Sequence, residues 1–129
     1  MKNLILLFVI VPVLTLGQTA GTKEIPAAEA KDHMGETATV CGRVADANMS
    51  RYAAGNYGWP ISLALEKPEP HAPFVVGILS PKRLKPDEVK SAYVGKLVCA
   101  TGKIELVRGV PQILATKPSQ VEFRADAKK

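Results

Sequence analysis

Aromatic and basic side chains share one polar segment of this sequence, and together they could bind a phosphate-bearing ligand. The segment covers residues 46–58, is rich in asparagine, serine and glycine, and ends just before the single tryptophan of the chain. Aromatic faces stack nucleobases, and basic side chains contact the phosphates between them. The candidate ligand-binding residues of this segment and its end are Arg51, Tyr52, Tyr57 and Trp59.

Basic residues recur at two later places in the chain. Lys82, Arg83 and Lys85 form a short basic run, and Arg108 precedes Gly109 at an expected hairpin turn. Such residues contact phosphates in nucleic-acid-binding proteins, although a short basic run is also typical of a solvated turn. We add Lys82, Arg83 and Arg108 to the candidate ligand-binding residues.

The side chains needed for catalysis are sparse. The two histidines, His33 and His71, are far apart in the sequence, and no nucleophile motif or Walker-type phosphate loop occurs. We therefore expect a protein that is not an enzyme and that holds no cofactor and no metal. Two metal sites remain as alternatives: zinc on both cysteines and a histidine, and copper on His33 and Met34.

The first residues have the order of a secretory signal peptide. A lysine is followed by an almost wholly apolar run at 4–16 and then by small and polar residues. This run is shorter than the ~20 residues that a membrane span needs, so an uncleaved anchor is the less favoured alternative. Cleavage after Gly17, or alternatively after Ala20, separates the signal peptide (1–17) from a mature domain (18–129). We expect export to the bacterial periplasm or the extracellular medium, with no stable membrane insertion afterwards.

Export gives the two cysteines a structural meaning. In an oxidising compartment, a lone pair of cysteines most often forms a disulfide, and the Cys-x-x-Cys spacing of redox pairs is absent. The sequence therefore predicts a disulfide between Cys41 and Cys99.

Positive charge is concentrated in the second half of the chain. Residues 18–80 carry a net charge of −2, and residues 81–129 carry +6, giving +4 for the expected mature protein. This asymmetry favours an anionic partner, but a solvated surface can show it too.

Strand and helix signals alternate along the mature chain in an order that predicts the fold. Glycine, proline and β-branched residues mark a short helix at 26–35, a second helix at 86–94, and extended segments at 37–45, 59–65, 74–79, 96–107, 110–116 and 120–123. This order is that of a mainly β protein with a five-stranded, partly open Greek-key barrel of the OB-fold type. One helix would precede strand 1 and the other would join strands 3 and 4. The first and fourth strands of such a barrel are neighbours, which would place Cys41 beside Cys99.

Several strings also resemble a known family. Residues 25–44, 93–104, 108–113 and 118–121 are similar to secreted bacterial OB-fold domains of the nucleic-acid-binding superfamily, which are often appended to extracellular nucleases. The resemblance covers about residues 25–123. It implies a module that binds single-stranded nucleic acid with weak sequence specificity, with any chemistry supplied by a separate nuclease. The alternative is an envelope or extracellular interaction module that binds a protein or a glycan.

Overall fold

Strands dominate the residues that the structure, a computed structural model, describes, which are 22–125. The predicted signal peptide, residues 1–17, lies outside this part of the chain. The strands are β1 (Glu24–Pro26), β2 (Thr37–Met49), β3 (Trp59–Leu65), β4 (Phe74–Ser80), β5 (Leu97–Lys103), β6 (Glu105–Val107), β7 (Val110–Leu114) and β8 (Val121–Arg124). The helix α1 (Pro86–Tyr93) joins β4 to β5, and short 3-10 helices cover Ala27–His33, Gly55–Tyr57 and Pro118–Gln120.

The eight strands form one open, mixed sheet. Their order is β6-β7-β4-β3-β2-β5-β8, with β1 pairing to β2 outside this path. Neighbours run antiparallel except for β1 with β2 and β4 with β7, which run parallel. The expected mainly β class is confirmed, but the expected five-stranded OB-fold barrel is wrong, because the end strands β6 and β8 do not pair with each other.

Two local features explain the difference. The predicted strand 96–107 is divided at Ile104, which belongs to neither β5 nor β6; its side chain is buried, and its backbone bonds to Gly35 and Glu36, just before β2. Its two parts, β5 and β6, then lie at different places in the sheet. The parallel pairing of β4 with β7 covers only three residue pairs, from Val75–Gln112 to Gly77–Leu114. A closed barrel would need the two ends of the strand order to pair, and within residues 22–125 no pairing joins β6 to β8.

The long strand β2 connects the two parts of this sheet. Its residues 37–43 pair with β5, whereas Val44 and residues 46–49 pair with β3. The register shifts between Val44 and Asp46, and such a bulge bends a strand and increases its twist. The strand continues to Met49, beyond the predicted end at residue 45, because Ala47 is buried and Met49 packs against the core.

One main hydrophobic cluster lies beneath the sheet and helix α1. Most of its largest fully buried side chains come from β3, β4 and β7, and they include Phe74, Ile61, Leu63, Leu65 and Ile113. Ile104, between β5 and β6, is buried with them. Helix α1 begins at Pro86, where a missing N–H costs nothing, and it buries Val89 in this cluster. Among residues 22–125, no helix has the length and apolar content that crossing a membrane requires.

The predicted disulfide between Cys41 and Cys99 is confirmed. The two residues face each other across the β2–β5 ladder, with their Cα atoms 4.1 Å apart and 58 positions apart in sequence. Bonds of this kind persist in oxidising compartments outside the cytoplasm. In the chain-entropy description, closing a loop of this length stabilises the fold by about 4 kcal/mol.

An ion pair joins β1 to β8 near the disulfide. Arg124 donates two hydrogen bonds to the Glu24 carboxylate, at 2.7 and 3.2 Å, and its Nη1 lies 3.9 Å from the Cys41 sulfur. The hydrogen bond from Arg124 holds the pKa of Glu24 below its usual value and, reciprocally, raises that of Arg124. Residues 100 positions apart are thereby held side by side.

Candidate functional site

A cleft of about 510 Å³ brings together two basic segments that are distant in sequence. One wall is the end of β2 and the residues after it, and the other is the segment that leads into α1. We call it the basic cleft, and it is lined by Ala47, Asn48, Met49, Ser50, Arg51, Arg83, Leu84, Lys85 and Pro86.

A hydrogen bond between two lining residues, Leu84 and Met49, joins the two walls of the basic cleft. The backbone N–H of Leu84 donates to the Met49 sulfur at 3.2 Å, and both side chains pack partly buried against the core. Between β4 and Leu84, the Ser80 hydroxyl donates to the Lys82 carbonyl oxygen at 2.7 Å. These bonds fix the turn from which Arg83 and Lys85 project.

The lining of the basic cleft is cationic. It contains Arg51, Arg83 and Lys85, all exposed, and none of its lining residues is acidic. The neighbouring carboxylate, Asp46, accepts a hydrogen bond from Lys90 Nζ at 2.6 Å. This bond is the main reason that the pKa of Asp46 lies below its ordinary value. Asp46 is therefore paired with Lys90, and no carboxylate among the lining residues neutralises Arg51, Arg83 and Lys85.

The loop after Arg51 exposes two aromatic rings. Tyr52 is 80% exposed and Tyr57 is 79% exposed, so both rings are accessible for stacking. Gly58 closes the loop at φ 104° and ψ −163°, a region that only glycine adopts readily. A Cβ at Gly58 would overlap the carbonyl oxygen of Ser80, so the loop is held directly against the end of β4.

Trp59 has a different environment from the tyrosines. It is half-buried, and strand alternation puts it on the same face of β3 as the core residues Ile61 and Leu63. It does not line the basic cleft. Its environment is therefore the margin of the core rather than an exposed stacking surface.

Arg108 lies in a second groove, away from the basic cleft. It occupies the β6–β7 turn with φ 50°, followed by Gly109 with φ 82°. We call this second site, of about 420 Å³, the polar groove; it is lined by Ser62, Glu69, Pro70, Val75, Val107, Arg108, Val110 and Gln112. The polar groove contains side chains of both charges, an amide and a hydroxyl, whereas the charged residues that line the basic cleft are all cations.

The histidines and cysteines have other contacts. One set of possible metal ligands in the described chain consists of Glu24, Cys41 and Cys99, whose ligand atoms lie within 4.8 Å of one another. Its two sulfurs are joined in the disulfide, so neither is present as a thiolate. His33 Nδ1 lies 2.9 Å from Glu36 Oε2 at the surface.

The structure thus divides the candidate ligand-binding residues into groups. Arg51 and Arg83 share the basic cleft, Lys82 lies exposed beside Arg83, and Arg108 lies elsewhere. Sequence reasoning did not select Asn48, Met49 and Leu84 for the site. For Met49 and Leu84, the sequence offered only an apolar residue near basic residues. Their contact could not be predicted, because the two residues lie 35 positions apart.

Comparison with known proteins assigns no family to the chain. No family model matches it, and neither does any curated protein. Among solved structures, it is similar to a protein assigned as an aspartyl-tRNA synthetase from Leishmania major Friedlin, with a TM-score of 0.48 and 9% identity. The match covers 88% of this chain but only 22% of that one. Similarity at this level does not establish a shared fold or function.

Proposed function

We propose that this protein is an exported binding module that binds single-stranded nucleic acid in the basic cleft and has no catalytic activity of its own. The observation that carries the proposal is the meeting of Arg51 with Arg83 and Lys85 in a cleft without acidic lining. A phosphodiester chain suits such a lining, because each phosphate exchanges bound counterions for a protein cation.

The exposed tyrosines favour a single strand over a duplex. Bases in a single strand are free to stack on aromatic rings, whereas paired bases are already stacked on each other. Tyr52 immediately follows the cleft residue Arg51, and Tyr57 belongs to the same loop. Phosphates on the cleft cations and bases on these rings give a binding mode with little sequence preference.

Export is the cellular part of the proposal. The confirmed disulfide between Cys41 and Cys99 fits an oxidising compartment, and the apolar run before residue 17 fits a signal peptide. Nucleic acid outside the cytoplasm is then the ligand, and a separate nuclease would supply any chemistry.

A titration at several salt concentrations tests the proposal. Residues 18–129, with the disulfide formed, are added to a labelled single-stranded oligonucleotide, and anisotropy gives the binding constant. The variant Arg51→Gln/Arg83→Gln/Lys85→Gln is expected to bind more weakly. The slope of log K against log salt is negative, and each lost phosphate contact should reduce its magnitude by roughly 0.7.

A charge-matched variant separates the cleft from net charge. Lys31→Gln/Lys67→Gln/Lys103→Gln removes three exposed cations that lie outside the basic cleft. It should retain the wild-type salt slope. Equal loss in both variants would show diffuse attraction to the whole surface, and no binding by the wild type at low salt would exclude nucleic acid as the ligand.

The polar groove supports a second candidate function, the binding of a protein or a glycan. Ser62, Glu69, Arg108 and Gln112 line it, and within residues 22–125 no hydrogen bond or ion pair engages their side-chain polar groups. Free donors and acceptors of this kind suit a neutral polar ligand. Binding unaffected by salt and lost in Arg108→Gln/Gln112→Ala would favour this candidate.

A further inference from the structure

We infer that the basic cleft accommodates one nucleotide unit and that Asn48 selects its base by accepting a hydrogen bond from an exocyclic amino group. The inference rests on the proposed function and deepens it. It predicts that cytosine and adenine, which carry such amino groups, bind better than uracil and thymine, which do not.

The composition of the cleft matches the parts of a nucleotide. Its volume of about 510 Å³ falls within the range of small-molecule sites, roughly 300–1,000 Å³. The cations Arg51, Arg83 and Lys85 suit the phosphate, whereas Met49 and Leu84 provide apolar surface for the flat face of a base. Charged and apolar parts of one ligand therefore each find a partner within a single cleft.

The orientation of the Asn48 amide follows from its partner. Its Nδ2 donates to Asp46 Oδ2 at 3.2 Å, and an ionised carboxylate can only accept. The hydrogen bond from Lys90 keeps Asp46 ionised by lowering its pKa. The NH₂ group of Asn48 must therefore face Asp46, which fixes which atom is the carbonyl oxygen.

The Asn48 carbonyl oxygen is left as an acceptor. Asn48 lines the cleft and is exposed, and within residues 22–125 no protein donor is bonded to its Oδ1. An amino group of cytosine or adenine would donate to this atom. The O4 carbonyl of uracil at the same position would instead face another acceptor, which is repulsive.

Two homopolymers of equal length test this inference because their bases differ only along one edge: cytosine has an amino group at C4 and an acceptor at N3, whereas uracil has a carbonyl oxygen at C4 and an N–H at N3. Deoxycytidine and deoxyuridine strands are titrated at low salt and mildly alkaline pH, where cytosine is not protonated. The wild-type protein should prefer the cytidine strand by roughly two- to tenfold, the value of one net hydrogen bond. Asn48→Ala should bring the two affinities together.

The control is Asn56→Ala, which removes an exposed asparagine of the adjacent loop that does not line the cleft. It should keep the cytidine preference. Equal affinities for both strands in the wild type, or a preference that survives Asn48→Ala, would overturn the inference while the proposed function stands. If neither strand binds, the proposed function itself fails, and this inference fails with it.

Discussion

Leu84 donates its backbone N–H to the sulfur of Met49, and this 3.2 Å contact joins the end of β2 to the segment before α1. The contact sets the position of the two basic segments, since Arg51 follows Met49 by two residues and Arg83 directly precedes Leu84. Two cations that are 32 positions apart thus line one cleft. The cost of bringing like charges together is lowered by their exposure to solvent.

Loss of the disulfide should destabilise the fold without changing its strand order. Cys41→Ala/Cys99→Ala releases the constraint on the 58-position loop and is expected to lower the free energy of unfolding by up to about 4 kcal/mol. Urea unfolding of the variant and of the wild type, each with and without a reductant, measures this change. Reductant should lower the midpoint for the wild type and leave the variant unchanged. A wild-type midpoint that does not respond to complete reduction would contradict the prediction.

The exposed tyrosines should contribute to binding and not to stability. Tyr52→Ala and Tyr57→Ala are each expected to weaken single-strand binding by about 1–3 kcal/mol if the ring stacks on a base. Their melting temperatures should match the wild type because both rings are about four-fifths exposed. Anisotropy and thermal unfolding provide the two measurements.

Tyr93→Ala is the contrasting variant for this prediction. Tyr93 packs against the core, and its ring centroid lies 5.7 Å from that of Phe123. Its loss should lower the melting temperature and leave the affinity of the remaining folded protein unchanged. Unaltered binding by both Tyr52→Ala and Tyr57→Ala would remove stacking from the proposed mode.

Gly58 should be far less tolerant of substitution than Gly55, although both have positive φ. Gly55→Ala places its Cβ in open space at φ 55° and should cost roughly 1–2 kcal/mol. Gly58→Ala combines a glycine-only conformation with overlap on the Ser80 carbonyl, and its cost should be larger. Chemical unfolding of the two variants compares them directly, and equal losses would show that Gly58 is not held against β4.

The Asp46–Lys90 pair should contribute stability that depends on pH. Because the folded-state pKa of Asp46 is depressed, its contribution is present above the unfolded-state value near 3.8 and is lost as pH falls through the lower folded-state value. Both side chains are partly exposed, so the contribution should not exceed about 1 kcal/mol.

A double-mutant cycle isolates this pair. Asp46→Asn, Lys90→Gln and the double variant are unfolded in urea at neutral and at acidic pH. The coupling energy should be measurable at neutral pH and should disappear in acid. A coupling that grows on acidification would contradict the sign of the shift.

Local patterns in the sequence predicted elements better than they predicted their assembly. The span of β3, residues 59–65, was predicted residue for residue, since alternating Ile61, Leu63 and Leu65 identify a half-buried strand. The position of Cys41 opposite Cys99 on neighbouring strands was also predicted. The division of 96–107 at Ile104 was not, because it depends on backbone bonds to Gly35 and Glu36, almost seventy positions away.

The same limit applies to the candidate site. Residue type was enough to select Arg51 and Arg83, but only the structure brings them into one cleft and separates Arg108 from them. Trp59 illustrates the converse case. Its indole ring is suited to stacking, yet Trp59 lies two positions before Ile61 on β3. The two side chains are therefore on the same face of the strand, at the margin of the core.

The pairing of Glu24 with Arg124 has a consequence for protein engineering. Residues at both ends of the sheet-forming chain lie beside each other, so a short peptide could join them and new termini could be opened elsewhere. The exposed tip at Arg108-Gly109 is a suitable opening, since it is the turn of the β6–β7 hairpin and lies outside the basic cleft. Because residues 24 and 124 lie close together, the whole domain could also be inserted into a surface loop of a host protein. The two loop residues to which it is joined would not have to move apart.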